Sequence, residues 1–117
     1  MMTTEQFFDG VAKGIKGGGP LKAVGGVISF EIDQSTYVVD LDKGTVGAKG
    51  PQPQVIVRAT SRDFMAVVEG RMSVNDGLIT DRLHVAGEAA RLAKLFEAID
   101  ALRNARGANG GKEVSWL

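Results

Sequence analysis

The chain has no cysteine, one histidine, three prolines, one tryptophan and one tyrosine among its 117 residues. Without thiols, a disulfide scaffold, a cysteine nucleophile and the usual thiolate zinc sites are excluded. Charge of either sign is not in surplus: Lys and Arg number 14, as do Asp and Glu. No long-range field draws the protein to phosphate backbones, so nucleic acid is not an expected partner. No stretch approaches the ~20 apolar residues of a membrane span. The N-terminal MMTTEQFFDG has neither the basic start nor the apolar run of a secretory signal. The final Ser115-Trp116-Leu117 has Trp where the S-K-L peroxisomal address has Lys, and is not read as that signal. The expected location is cytoplasmic, and no residue set asks for a cofactor or a metal.

What is present is the apolar pattern of one small domain with a single core. Thr3 and Gln6 have the spacing of a capping box, and Phe7, Phe8, Val11 and Ile15 then recur at helical intervals. Gly17-Gly18-Gly19-Pro20 stops that helix. As a phosphate loop it lacks the Lys-Ser/Thr pair and a preceding strand, so it reads as a linker. Val27 to Ile32 and Thr36 to Asp42 alternate as two strands of a hairpin, and Thr45 to Ala48 returns as a short third after the Asp42-Lys43-Gly44 turn.

Val55 to Ala59 predicts a fourth strand. Thr60 or Ser61 then caps a helix carrying Phe64, Val67 and Val68 that ends at Gly70. Ser73 to Thr80 reads as a short helix with Val74 and Leu78 one turn apart. Arg82 to Ala86 alternates as a fifth strand, and Gly87-Glu88 opens a long helix bearing Leu92, Leu95, Phe96, Ile99 and Leu102. The fold class is α/β of the α+β type: a five-stranded, mostly antiparallel sheet with helices covering one face. Ile28, Phe30, Val39, Val57, Leu83 and Val85 are expected inward; Ser29, Glu31, Asp40, Arg58 and His84 are expected toward water. The domain is expected to span residues 1–102. Residues 103–117 read as a polar, Gly-rich tail in which Val114, Trp116 and Leu117 form a small apolar end that either docks or stays free. Taken alone, the inward residues favour an ordinary two-layer core over a ligand cavity, because a cavity leaves no unique mark in a sequence.

Four segments move that balance: Gly25-Gly26-Val27-Ile28-Ser29-Phe30, Tyr37-Val38-Val39-Asp40-Leu41, Asp63-Phe64-Met65-Ala66-Val67-Val68-Glu69-Gly70-Arg71-Met72, and Arg82-Leu83-His84-Val85-Ala86-Gly87. In order and spacing the chain resembles the sterol carrier protein 2 family of small lipid-binding domains, over roughly residues 7 to 100. The most specific part is D-F-x-x-x-x-x-G-x-M followed about ten residues later by a short strand ending in Gly. The resemblance implies an apolar tunnel between the sheet and its helices that takes a fatty acid, acyl-CoA, sterol or phospholipid. By the same analogy the tunnel is lined by Phe8, Phe30, Phe64, Val68, Met72, Leu78, Ile79, Leu83, Val85, Leu95, Phe96 and Ile99. Thr80-Asp81 departs from the small Gly that relatives carry before the last strand, and places a carboxylate near the expected tunnel.

Catalytic groups are sparse. His84 falls on the solvent phase of its strand with no serine or second histidine placed to work with it. Asp63 and Glu88 suit the first turns of helices electrostatically, and that accounts for them. The expected function is non-catalytic binding and transfer of a long apolar ligand. The alternative is an accessory subunit that binds a hydrophobic intermediate or an enzyme partner in a biosynthetic complex, and a third reading is a cofactor-free enzyme using Asp81. A transient membrane or enzyme partner is compatible with each.

Overall fold

The structure, a computed structural model, describes residues 3–16 and 19–108, with residues 102–108 described by their backbone alone. Among these residues the chain runs α1 (Thr4–Lys16), α2 (Pro20–Val24), β1 (Val27–Ile32), β2 (Ser35–Asp40), β3 (Thr45–Gly47), β4 (Val55–Ala59), α3 (Ser61–Val68), α4 (Val74–Ile79), β5 (His84–Gly87) and α5 (Ala89–Ala108). The capping box forms reciprocally: the Thr3 N–H donates to Gln6 Oε1 at 2.9 Å and the Gln6 N–H to Thr3 Oγ1 at 3.1 Å. Thr60 and Ser73 cap α3 and α4 through the N–H groups of Asp63 and Asp76.

The strands form one sheet in the order β3-β2-β1-β4-β5. β1 pairs antiparallel with β2 and parallel with β4, and the outer pairs, β2 with β3 and β4 with β5, are antiparallel. Ile28 lies opposite Val39 and Val55, and Phe30 opposite Tyr37 and Val57. Residues directly opposite share a face, so these side chains all meet the helices, as the alternation predicts. On the other face Arg58 Nε donates to Glu31 Oε1 at 3.1 Å, an exposed pair that contributes under about 1 kcal/mol.

That outer face is not wholly open to water, which corrects the expectation for Ser29 and Asp40. They are only 7% and 3% exposed. β3 sits at one edge while β4 lies beyond β1, so the segment joining them has to pass over two strands. It does so on the outer face: a Cβ on Gly50 would lie 2.7 Å from Val38 Cγ1, and Val38 stands opposite Ser29 in the register. Asp40 tolerates burial because its Oδ1 accepts the N–H groups of Asp42 and Lys43 at 3.1 and 3.0 Å.

Three helical features differ from the sequence expectation. Pro20 opens the short helix α2 where a direct passage into β1 was expected, because its fixed φ suits a first helical turn. Arg91 then ties α2 to α5 by donating from Nη1 to the carbonyls of Val24 and Gly25 at 3.0 and 2.7 Å. The backbone of α5 continues past Leu102 to Ala108, six residues into the segment read as tail. Finally, α4 turns Gly77 inward and leaves Leu78 and Ile79 exposed, with Val74 only partly buried against the core. Val114, Trp116 and Leu117 lie outside the described residues.

Candidate functional site

The space between sheet and helices is built from aromatic rings supplied by α1, β1, β2, α3 and α5. Phe8 stacks on Tyr37 with centroids 4.2 Å apart and planes 13° from parallel, and on Phe64 at 5.5 Å and 8°. Phe64 also meets Phe7 at 5.6 Å, Phe30 at 5.5 Å and Phe96 at 6.4 Å, each near edge to face. The Thr60 cap starts α3 one residue later, and this phase sends Phe64 and Val68, four residues apart, to the same side.

Of the twelve expected lining residues, Phe8, Phe30, Phe64, Val68, Leu83, Leu95 and Ile99 are buried together in the core, with Val85 and Phe96 partly buried against it. Met72 is half-buried. Leu78 and Ile79 stand apart from the group on the outside of α4. Phe30 and Phe64 have essentially no exposed surface, so no water-sized space adjoins their rings. At these residues the layers are filled by side chains rather than separated by an open channel.

A groove of about 290 Å³ does open beside this cluster, lined by Val67, Gly70, Met72, Ser73, Val74, Phe96 and Asp100. Phe96 links it to the interior, since it lines the groove and its ring meets that of Phe64 near edge to face. Val67, Gly70, Ser73, Val74 and Asp100 were not among the expected lining residues. Val67 and Val74 carried the right signal, an apolar residue at helical spacing from Phe64 or Leu78, but spacing alone does not say which apolar residues flank an opening. A shallower cleft of about 620 Å³ lies between the starts of α1 and α3, lined by Thr3, Thr4, Glu5, Ser61, Arg62, Met65, Glu69 and Arg71. Its charges are balanced, and Arg71 donates to Glu69 at 2.7 Å.

Acid–base groups are peripheral to the aromatic cluster. His84 is exposed, with Nδ1 3.8 Å from Asp81 Oδ1. The Asp81 carboxylate expected near the tunnel instead points into solvent, its side chain 89% exposed. Among the described residues no group of three or more His, Asp or Glu side chains is placed to hold a metal ion, and no helix is long and apolar enough to cross a membrane. The aromatic cluster therefore offers apolar surface, while the groove beside it is also lined by the polar residues Ser73 and Asp100.

Comparison with known proteins gives the arrangement a context. The solution structure of palmitated sterol carrier protein 2 like 2 from Aedes aegypti is 26% identical, with a TM-score of 0.66 over 84% of this chain and 95% of that one. The crystal structure of sterol carrier protein 2 like 2 from the same organism is 25% identical, with a TM-score of 0.62 over 80% of this chain and 93% of that one. Sterol carrier protein 2 from Aedes aegypti, solved in complex with the C16 fatty acid palmitate, shares the fold with a TM-score of 0.69 at 19% identity, over 85% of this chain and 96% of that one. No curated protein sequence matches the chain. Residues 6–100 match the SCP-2 sterol transfer family, a span that takes in every described strand and the aromatic cluster, and the chain belongs to that family.

Proposed function

We propose that the protein binds a long-chain lipid between its sheet and helices and hands it on without chemical change. The carrying observation is the family match across residues 6–100, supported by a relative 26% identical over almost its whole length that holds palmitate. A fatty acid is the first candidate ligand. Acyl-CoA, sterol and phospholipid are further candidates, and a cytoplasmic location belongs to the same reading.

The packed interior suggests how binding works. With Phe8, Phe30 and Phe64 in mutual contact, an acyl chain has to part the helical layer from the sheet, entering at the groove where Met72 and Phe96 are only partly covered. The ligand then replaces contacts between side chains by contacts with itself. Each methylene buried contributes about 0.8 kcal/mol, which offsets the opening without any charged clamp. Residues Phe8, Phe30, Phe64, Val68, Met72, Leu83, Val85, Leu95, Phe96 and Ile99 would line the opened space. Leu78 and Ile79 would join them only if α4 rotated.

Displacement of a fluorescent fatty acid by palmitate tests the proposal. Micromolar competition, with host lipid carried over in native mass spectrometry of freshly purified protein, is the expected result. Absence of competition by palmitate, sterol and phospholipid alike would overturn it, and co-purification with an enzyme under the same conditions would favour the accessory-subunit reading.

A further inference from the structure

The short helix α4 carries the two large apolar side chains that are exposed among the described residues, Ile79 at 73% and Leu78 at 36%. A lone exposed aliphatic needs no explanation. This pair is different because it is consecutive, and because the inward position of the same helix is a glycine, Gly77, seated against Leu83 and Met72. The helix has thus turned its bulk outward. It is also continuous with the groove beside the aromatic cluster, since Met72, Ser73 and Val74 form one wall of that groove and lead directly into α4.

The surroundings favour one occupant. Two aliphatic side chains are a small part of the roughly 800 Å² per partner that a standard protein interface buries. Insertion of a few such side chains at the boundary between headgroups and acyl chains needs no matching surface and gives a contact that forms and releases readily. From Glu69 to His84 the chain carries Arg71 and Arg82 against Glu69, Asp76 and Asp81, and Arg71 is already paired with Glu69. No excess of positive charge is available for an anionic surface.

We infer that Leu78 and Ile79 form the point at which the protein touches a bilayer, and that it touches an uncharged, zwitterionic surface by apolar insertion. The inference rests on the lipid-carrier reading and adds where exchange takes place: at the tip of α4, next to the groove.

The chain has no cysteine, so Ile79→Cys carries a single polarity-sensitive dye, and Gln34→Cys in the exposed β1–β2 turn serves as control. Phosphatidylcholine vesicles should shift the emission of the dye at position 79 to the blue and leave that at position 34 unchanged. Adding phosphatidylglycerol should change the vesicle affinity by less than twofold. In unlabelled protein, Ile79→Asp should slow transfer of a fluorescent fatty acid to acceptor vesicles at least tenfold and remove its dependence on vesicle concentration, with equilibrium fatty-acid affinity unchanged. Ile79→Trp should speed transfer. No shift at position 79, equal shifts at both positions, or an unaltered transfer rate in Ile79→Asp would overturn the contact. A shift that grows with protein concentration in the absence of vesicles would overturn it in favour of a second copy of the chain. If the dye at position 79 responds to vesicles but the wild-type protein binds no fatty acid, the bilayer contact stands and the carrier reading falls.

Discussion

A Cβ placed on Gly77 would stand 3.0 Å from the Cβ of Leu83 and 3.4 Å from the terminal methyl carbon of Met72. At this position α4 therefore meets the core through bare backbone, with Val74 packed against the core one turn earlier. An alanine there gains about 1 kcal/mol of helix propensity and loses a comparable amount to crowding, so Gly77→Ala should leave stability nearly unchanged. Gly77→Val should cost about 1–3 kcal/mol by overpacking and lift α4. Hydrogen exchange should then accelerate in residues 74–80 while the β4 amides keep their protection; uniform acceleration would mean that α4 does not open as a separate unit.

Gly87, which ends β5, is held for a different reason. Its φ is +94° and a Cβ on it would collide with the backbone carbonyl of Gln54, an atom fixed by its hydrogen bond from the Glu88 N–H at 3.0 Å. Neither the left-handed backbone nor the collision is relieved by a side-chain movement. Gly87→Ala should therefore lose more than about 2 kcal/mol in urea unfolding, and a loss under about 0.5 kcal/mol would show that the β5–α5 junction rearranges.

Asp81 occupies a left-handed position at φ +64° with its carboxylate in solvent. Removing the Cβ relieves local strain, so Asp81→Gly should stabilise the fold by about 0.5–1 kcal/mol and leave fatty-acid affinity unchanged. The same substitution distinguishes binding from catalysis: lipid turnover by the wild type that disappears in Asp81→Gly would establish the enzymatic reading instead.

Phe64 is the ring on which the aromatic cluster converges, and Phe64→Ala should cost about 3–5 kcal/mol. The vacated volume lies where a ligand would enter, so palmitate at a hundredfold excess over its Kd should restore about 2.7 kcal/mol of that loss. Thermal unfolding with and without palmitate checks both figures, and a palmitate affinity in Phe64→Ala identical to that of the wild type would place the ligand elsewhere.

Affinity should rise with acyl length until the interior can open no further. At about 0.8 kcal/mol per methylene, each added carbon should tighten binding about fourfold. A competition series from C10 to C18 measures this, and a flat series would indicate that the chain lies outside the protein.

The fold was readable to the extent that its elements are amphipathic. Phe7, Phe8, Val11 and Ile15 mark the buried side of α1, and Ile28, Phe30, Val39 and Val57 mark the inner side of the sheet, because period and burial coincide there. Thr3, Thr60 and Ser73 mark helix starts, because the hydrogen bonds that cap a helix are local. The family was readable for a related reason: Asp63 to Met72 and the strand ending at Gly87 contain positions with little freedom, including the glycine whose Cβ would strike Gln54.

Other features depended on contacts between residues distant in the chain. Ser29 and Asp40 have the polarity of surface residues and are buried because the β3–β4 connection crosses the outer face, a consequence of strand order that alternation does not encode. Leu78 and Ile79 have the polarity of core residues and are exposed because Leu83 and Met72 leave room only for the backbone at Gly77. The sequence by itself determined the type and phase of the elements and the apolar character of the site, since these follow from local hydrogen bonding and side-chain period. Tertiary structure alone decided which face of α4 meets solvent, how closely Phe8, Phe30 and Phe64 fill the interior, and where a groove opens beside them, since each depends on the shapes of side chains brought together from different elements.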